Sequence, residues 1–322
     1  MDKYLSLLLN MSKLNILLLC SSRFALPALK ELAFFQMLTA VAIPSACDEM
    51  VENVQAILTG SGIPVLQLHK ETYADHLIQI IDEYHVTMGL MMTFSYKIPE
   101  SVYTLPVKGF YNVHPGPLPT YRGADPIFQQ LKNKEKKAGV TIHKLNDGID
   151  TGPVVIHEML KIETKDTYGM LTTKLANLAA RLTGTLIKLV DFDLAIPSRP
   201  QNLTSARYFK RQTADDVTVD WQTMDAETIV ALINACNPWN KGAVTKINNQ
   251  VMRLLCAEKV LQHTAIGKSA GYIVAFEDKG MIVSTINDQA IIVHVVYMEE
   301  GFLNTGMLPL LGFESGHFFE KL

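Results

Sequence analysis

The sequence predicts an α/β protein with a Rossmann-like, doubly wound and mainly parallel sheet, followed by a small C-terminal β-rich domain. Three observations predict this fold class: apolar runs alternate with helical segments over residues 14–194, a polar Pro-rich stretch follows, and short strands fill the remainder. Such alternation is typical of a parallel sheet that helices cover on both faces. The 322 residues, 48% of them hydrophobic, suffice for two domains with packed cores.

The first domain is predicted from strands and helices whose apolar periods differ. In chain order the predicted elements are strand Ile16–Cys20, helix 26–35, strand 39–43, helix 48–59, strand Val65–Leu68, helix 74–84, strand 87–92, strand Phe110–His114, helix 125–133, strand 140–145, extended segment 154–162 and the long amphipathic helix 169–190. We therefore expect residues 11–195 to form one α/β domain.

A linker is predicted at residues 196–208, because the stretch from Ile196 to Asn202 is polar and rich in proline. The second domain, 209–322, begins with a predicted helix at 225–236. Its predicted strands are Ala243–Ile247, 251–257, 271–277, 281–284 and 290–297. Turn residues separate these short strands, so we expect a small antiparallel barrel resembling an OB-fold.

Composition and the first residues exclude several protein classes. With 29 basic and 32 acidic groups, a net charge of −3, the chain lacks the basic surplus typical of nucleic-acid-binding proteins. Polar residues at Asn10, Ser12 and Lys13 interrupt the early apolar runs before the roughly 18 apolar residues of a membrane span accumulate. We expect a cytoplasmic protein without a membrane segment, in which Met11 is an alternative start and residues 1–10 are a loose leader.

A pair of polar residues marks the end of one predicted strand. Asn112 and His114 are two residues apart, so both side chains leave the same face of the strand Phe110–His114. Ligand crevices form at the carboxyl ends of strands in open α/β sheets. Pro115, Pro117 and Pro119 stiffen the loop that follows. A rigid ligand site is therefore expected here.

Asp150 follows the next predicted strand and could lie beside that pair. A carboxylate near His114 would raise the imidazole pKa and keep the ring cationic near neutrality. When an amine attacks an acyl carbon, Asn112 Nδ2 and His114 would donate to the oxygen that becomes negative. Asp150 would take the amine proton, directly or through a water.

Each of these residues also has a structural interpretation. Asn-x-His alone often caps a strand, and Asp-Thr-Gly is often only a turn. His143 alternates with buried neighbours, and we expect it to be structural, as we do the histidines at His69, His76, His85 and His157. No metal site is predicted, because these histidines lack ligand spacing and the four cysteines include no CxxC pair.

Taken together, the motifs resemble the 10-formyltetrahydrofolate-dependent formyltransferase family. They occur in one order: Asn112-x-His114, a Pro-rich loop, Tyr121-Arg-Gly-x-x-Pro126, Gly139-Val-Thr and Asp150-Thr-Gly152. The resemblance is good over 14–194. It is weaker at Asp220-Trp221 and Cys236-Asn-Pro-Trp239, which are similar to the start of the C-terminal domain of methionyl-tRNA formyltransferases.

The resemblance implies a formyltransferase fold and a metal-free enzyme that uses 10-formyltetrahydrofolate as co-substrate. The family triad falls on Asn112, His114 and Asp150. The residues implied for binding the pterin of the donor are Phe94, Ser95, Tyr96, Lys97, Ile98, Gly116, Pro117, Leu118, Pro119 and Asp147.

The acceptor is inferred from charge. Methionyl-tRNA enzymes have a basic loop after the second strand, whereas residues 45–52 here are acidic, and residues 207–322 carry 10 Lys and Arg against 13 Asp and Glu. Both features oppose tRNA binding and favour a small-molecule or carrier-tethered amine. The C-terminal domain would then wall the site, recruit a carrier or form a homodimer. The alternatives are a methionyl-tRNA formyltransferase acting in translation initiation, and a 10-formyltetrahydrofolate hydrolase or folate-binding protein.

Overall fold

The structure, a computed structural model, describes residues 14–260 and 267–320. The predicted leader 1–10 and the alternative start Met11 lie outside the described residues. Contacts divide the chain into two compact units. The first unit contains residues up to Gly123, Ala138–Leu160 and Thr172–Tyr208, and the second contains Ala124–Lys137, Lys161–Leu171 and Phe209 onward. Within the described ranges, no helix is both long and apolar enough to span a membrane.

Strands and helices of both units are numbered here in chain order. The strands are β1 (Ile16–Cys20), β2 (Leu38–Pro44), β3 (Val65–Leu68), β4 (Met88–Met92), β5 (Phe110–His114), β6 (Arg122–Gly123), β7 (Lys137–Lys144), β8 (Val154–Lys161), β9 (Tyr208–Phe209), β10 (Ala243–Ile247), β11 (Gln250–Lys259), β12 (Ile273–Glu277), β13 (Gly280–Ser284), β14 (Ala290–Met298), β15 (Gly301–Asn304) and β16 (Phe319–Glu320). The α-helices are α1 (Leu26–Phe34), α2 (Asp48–Ile57), α3 (Tyr73–Glu83), α4 (Glu100–Tyr103), α5 (Pro126–Lys132), α6 (Tyr168–Asp191) and α7 (Ala226–Cys236).

The first unit contains a sheet in the order β3-β2-β1-β4-β5-β7-β8. The pairs β1 with β2, β1 with β4, β2 with β3 and β4 with β5 are parallel, whereas β7 runs antiparallel to β5. The chain builds outward from β1 to β3 and then returns to place β4 on the other side of β1. The predicted doubly wound, mainly parallel sheet is therefore confirmed, and its strand order reverses between β1 and β4.

Helix α3 shows why the alternating pattern predicts this fold. Leu77, Ile80 and Ile81 recur at helical spacing and are buried in one cluster with Leu17 and Leu19 of β1. All five residues of β1 are buried, as expected for a central parallel strand that is covered on both faces.

Close packing between β4 and β5 requires a glycine. Gly89 is paired with Phe110, and a Cβ added at Gly89 would lie 2.4 Å from the Phe110 ring. The aromatic ring thus occupies the space that a side chain at this position of β4 would need. Phe110 begins the strand that carries Asn112 and His114, so this packing supports the candidate site.

The second unit is built on an antiparallel sheet, in the order β12-β13-β14-β11-β10-β16, with β15 paired to β14. Helix α7 buries Ile229, Leu232 and Ile233. Trp221 stacks on Phe319 of β16 at a ring-centroid distance of 5.2 Å. The prediction of a β-rich C-terminal domain is confirmed.

The predicted elements are present with small differences at their ends. The predicted strand 140–145 is the longer β7, which begins at Lys137 and ends at Lys144. Helix α4 was not predicted, because a helix of four residues is too short to show a periodic pattern. The expected division into 11–195, 196–208 and 209–322 stays a prediction. In the contact division, residues 196–208 group with the first unit, whereas 124–137 and 161–171 group with the second.

Candidate active site

The candidate site lies at the carboxyl end of β5, within the first unit. In the register between β5 and β7, Asn112 is opposite His143 and His114 is opposite Thr141. Asn112 is 5% exposed, His114 4% and Asp150 8%. The three residues predicted to act together are therefore desolvated, and electrostatic interactions among them are stronger than they would be in water.

Asp150 is held by donors on two sides. One carboxylate oxygen accepts from Asn112 Nδ2 at 3.0 Å, and the other accepts from the backbone N–H of Gly123 at 2.8 Å. The backbone of Asp150 has a φ of +54°, in the left-handed region that residues with a Cβ rarely adopt. This conformation turns the carboxylate back toward β5, so the predicted proximity of Asp150 to Asn112 is found.

The orientation of His114 follows from its backbone partner. Its Nε2 lies 2.7 Å from the carbonyl oxygen of Tyr121, so Nε2 carries a hydrogen and donates it. Its Nδ1 faces Asp150 Oδ1 at 3.6 Å. In a neutral ring with this tautomer, Nδ1 is unprotonated and can accept a proton next to the carboxylate.

The pKa values of this pair differ from the prediction. Burial lowers the pKa of His114 below its usual value, although the Asp150 carboxylate acts in the opposite direction. The expectation that His114 is cationic near neutrality is therefore wrong, because loss of solvation outweighs the nearby charge. Burial raises the pKa of Asp150, but its coupling to the His114 ring, whose charged form the carboxylate favours, and the hydrogen bond from the Gly123 N–H outweigh burial and hold that pKa well below its usual range.

Both hydrogens of the Asn112 amide are engaged within the protein. Asn112 Nδ2 donates to Asp150 at 3.0 Å and lies 3.1 Å from His143 Nε2. His143 Nδ1 lies 2.9 Å from the carbonyl oxygen of Lys144 and must donate to it, so His143 Nε2 is the acceptor. The donors predicted for a formyl oxygen, on Asn112 and His114, thus have protein acceptors in this structure.

The Pro-rich loop is tied to β7. Thr141 Oγ1 donates to the carbonyl oxygen of Gly116 at 2.8 Å, and the N–H of Leu118 donates to the same hydroxyl at 3.2 Å. Pro117 and Pro119 restrict the backbone on either side of Leu118. Thr141 therefore fixes the course of the predicted folate loop relative to the strand that carries His143.

The predicted segment after β4 lies at the carboxyl end of that strand, where the strand order reverses. The rings of Tyr73 and Tyr96 are 4.9 Å apart, and those of Phe94 and Tyr96 are 5.3 Å apart. The hydroxyl of Tyr73 donates to the carbonyl of Lys97 at 2.6 Å, while Ile98 is buried. An aromatic surface at this position suits a planar ligand.

Ser95 and Asp147 complete the predicted donor-site residues. Ser95 Oγ lies 3.4 Å from Ser21 Oγ, at the junction of β1 and β4. Asp147 accepts a hydrogen bond from the Tyr103 hydroxyl at 3.1 Å. Tyr103 and Phe94 pack on the same core cluster. The structure therefore connects the 94–98 segment to the loop that leads to Asp150.

Three residues at the site were not predicted to take part. His143, expected to be structural, contacts Asn112, and Arg122 and Gln201 form hydrogen bonds behind Asp150. The register of β7 against β5 could have indicated His143, because it is opposite Asn112. No local signal indicates Gln201, which lies in the predicted linker. Among the residues that the structure describes, no group of three or more potential metal ligands occurs.

Comparisons with known proteins agree with the resemblance that the sequence motifs indicate. Residues 44–186 match a family model described as formyl transferase, and residues 211–302 match its C-terminal domain. The chain is 29% identical to a methionyl-tRNA formyltransferase of Kosmotoga olearia over 72% of this chain and 73% of that protein. It is 27% identical to the methionyl-tRNA formyltransferase of Syntrophus aciditrophicus over 95% and 97%.

A solved structure supports the fold. It is the N-formyltransferase from Helicobacter canadensis in complex with folinic acid and dTDP-3-aminofucose, with a TM-score of 0.65 and 18% identity over 87% of this chain and 98% of that one. The fold class implied by the motif resemblance is thereby confirmed.

Proposed function

Because the chain belongs to the formyl transferase family, we propose that it moves a formyl group from 10-formyltetrahydrofolate to the primary amine of a small-molecule or carrier-tethered acceptor. The observation that carries this proposal is the buried cluster of Asn112, His114 and Asp150 at the carboxyl end of β5. The cluster combines an amide donor, an imidazole and a carboxylate, which are the groups that acyl transfer to an amine requires.

The donor assignment rests on the motif and on the neighbours. The N-formyltransferase of Helicobacter canadensis was crystallised with folinic acid, a formylated folate. In this chain the aromatic residues Phe94 and Tyr96, the loop from Gly116 to Pro119 and Asp147 are proposed to enclose the pterin. Aromatic side chains supply a flat apolar surface for the ring, and backbone groups of the loop supply hydrogen bonds to its edge.

We assign the proton transfer to His114 rather than to Asp150, the residue that the sequence predicts for this role. Asp150 is ionised and its lowered pKa makes it a weak base, whereas neutral His114 has an unprotonated Nδ1. As the amine nitrogen attacks, a bond forms to the formyl carbon and the bond from that carbon to the donor nitrogen breaks. His114 takes the amine proton and returns it to that departing nitrogen, and Asp150 stabilises the imidazolium in between.

Asn112 is proposed to stabilise the formyl oxygen. The amide hydrogen that faces His143 would turn to the substrate, exchanging a neutral acceptor for an oxygen that gains negative charge. Hydrogen bonds to ionised groups are roughly twice as strong as neutral ones, so the exchange favours the transition state over the free enzyme. Loss of one such donor typically costs about 10²–10³ in rate.

Methionyl-tRNA is a second candidate acceptor. The Kosmotoga olearia and Syntrophus aciditrophicus relatives are both named methionyl-tRNA formyltransferases. The match to the Syntrophus aciditrophicus protein extends through the C-terminal domain. Against it stand the acidic 45–52 segment and the excess of acidic over basic residues after Arg207. In the structure, Asp48 and Glu49 lie in the first turn of α2, where negative side chains stabilise the helix.

One experiment distinguishes these functions. The protein is incubated with 10-formyltetrahydrofolate and, separately, methionyl-tRNA, amino sugar nucleotides and aminoacyl groups on a carrier protein, and the products are identified by mass spectrometry. We expect formylated small-molecule or carrier-bound amine. Formylation of methionyl-tRNA alone at enzymatic rates would assign the second acceptor. Formate release that no amine suppresses would instead indicate the hydrolase.

A further inference from the structure

We propose that Gln201 is a positioning residue for formyl transfer, which ties the loop of Asp150 to the Arg122 side chain and so sets the distance between Asp150 and His114. The inference rests on the proposed function and deepens it. It assigns a role at the site to residues 199–207, which the sequence indicates only as part of a linker.

Every polar hydrogen and acceptor of the Gln201 amide is used in this bridge. Its Nε2 donates to the carbonyl oxygen of Asp150 at 2.9 Å and to that of Gly152 at 2.7 Å. Its Oε1 accepts from Arg122 Nε at 3.1 Å and Arg122 Nη2 at 2.7 Å. One side chain therefore joins the backbone on both sides of Thr151 to a buried guanidinium.

The bridge acts on both sides of the Asp150 carboxylate. Arg122 precedes Gly123, whose N–H donates to Asp150 Oδ2 at 2.8 Å. Gln201 is thus linked, through Arg122, to the residue whose N–H binds the Asp150 carboxylate, and it also binds the backbone of Asp150 directly. A shift of either side would change the 3.0 Å contact to Asn112 and the 3.6 Å separation from His114.

Asp150 needs such support because its backbone is in a strained conformation. A φ of +54° is unfavourable for a residue with a Cβ and persists only where the surroundings hold it. The two hydrogen bonds from Gln201 end on the carbonyl oxygen of Asp150 itself and on that of Gly152, two residues further along the loop. Removing them frees the loop to relax toward a more common conformation and to carry the carboxylate with it.

The segment around Gln201 is itself anchored at both ends. Arg199 and Val154 exchange two backbone hydrogen bonds, of 2.8 and 2.9 Å, at the start of β8. At the other end, the N–H of Arg207 donates to Pro119 at 3.1 Å, and its carbonyl accepts from the N–H of Arg122 at 3.0 Å. Gln201 therefore projects from a segment that is fixed to the Pro-rich loop and to the strand after Asp150.

The test uses two variants of the full chain and a matched control. Gln201→Met keeps the approximate length of the side chain but can neither donate nor accept these hydrogen bonds. Gln201→Glu still accepts from Arg122 but, as a carboxylate, cannot donate to the carbonyls. Ser198→Ala lies at an exposed position of the predicted linker 196–208, directly before Arg199, and controls for changes in the linker itself. Transfer rates to the best acceptor are measured between pH 4.5 and 9 for each protein.

We expect both Gln201 variants to lose at least about tenfold in kcat, with KM for donor and acceptor changed less than about threefold, since a displacement of about 1 Å at a catalytic group is costly. The acid limb of the pH–rate profile is the range in which the rate rises as His114 loses its proton. In Gln201→Met this limb should move to lower pH, because Asp150 then lies farther from His114 and raises its pKa less. Ser198→Ala should match the wild type. Loss of folded protein alone would reduce the amplitude without moving the limb.

Three results would overturn the inference: kcat within about twofold of wild type in both variants, a loss without a shift of the limb in Gln201→Met, or failure of both to fold. The last result would mean that the bridge serves the fold rather than the geometry of the site. Failure of the proposed function is distinguishable, because wild-type protein would then transfer no formyl group to any amine.

Discussion

At the scale of single residues, His114 and Asp150 determine how the site handles a proton. His114 donates through Nε2 to Tyr121 and presents Nδ1 to an ionised carboxylate. Because burial lowers the pKa of His114, the free protein keeps the ring neutral at physiological pH, ready to accept a proton. Asp150 then stabilises the charge that appears on the ring only during the reaction.

This arrangement predicts the direction of the pH dependence. Only neutral His114 can take the amine proton, so kcat/KM should rise with pH through a His114 pKa that lies below 6.5. Asp150→Asn removes the carboxylate that raises this pKa, so its acid limb should lie at still lower pH. The pH profile is measured with an acceptor whose amine pKa is known, so that the titration of the acceptor can be distinguished from that of His114. A limb that moves to higher pH in Asp150→Asn would contradict the assignment.

The residue-level prediction from sequence was good where spacing carried the information. Two-residue spacing on a strand placed Asn112 and His114 on one face, and the structure brings Asp150 to both. The predicted protonation state of His114 is wrong, because the extent to which its ring is buried depends on residues that are distant in the sequence. Gln201 could not be predicted, since its role depends on hydrogen bonds to Asp150 and Gly152 across about fifty positions of the chain.

At the scale of elements, the site depends on the packing of β4 against β5. Gly89 leaves room for the Phe110 ring, which occupies the position that a Cβ would take. Strand periodicity predicted both elements, but it could not show this close approach, because the sequence does not reveal which residues are paired across the strands. The short helix α4 contains Tyr103, which donates a hydrogen bond to Asp147. The sequence does not predict this helix, because four residues are too few for a periodic signal.

Two glycine substitutions test this packing. Gly89→Ala should destabilise the protein by about 1–3 kcal/mol, because its Cβ would overlap the Phe110 ring. Gly184→Ala is the matched control: it lies in α6 with no neighbouring atom within 4 Å of an added Cβ, and should stabilise by up to about 1 kcal/mol. Both are measured by denaturant unfolding. Equal stability of Gly89→Ala and wild type would contradict the packing argument.

At the scale of the whole molecule, the question is which amine accepts the formyl group. The family and its two kinds of domain, one α/β and one β-rich, were predictable from sequence, whereas the acceptor was not, because the residues that choose it are not part of the shared motifs. The charge of the chain is the available guide. Its net charge of −3, the acidic residues at 45–52 and the acidic excess in the C-terminal part are the basis of the proposed preference for a small acceptor.

Binding to tRNA provides the corresponding prediction. We expect association no tighter than about 10⁻⁴–10⁻⁶ M at physiological salt, the range of nonspecific binding. Glu52→Lys, at an exposed position of α2, should strengthen this binding and increase its salt dependence by about one phosphate contact. Submicromolar binding of methionyl-tRNA by the wild type, measured by filter binding across salt concentrations, would overturn the preference for a small acceptor.

The most direct test of the account is formyl transfer from 10-formyltetrahydrofolate to an amine, measured by mass spectrometry for wild type and for His114→Ala and Asp150→Ala. We predict that either substitution lowers the rate by at least about 10², or roughly 2.7 kcal/mol of transition-state stabilisation, with little effect on folding. His69→Ala, an exposed histidine outside the site, should retain the wild-type rate. Near-normal turnover by Asp150→Ala, or no formylated product from the wild type with any amine, would contradict the account.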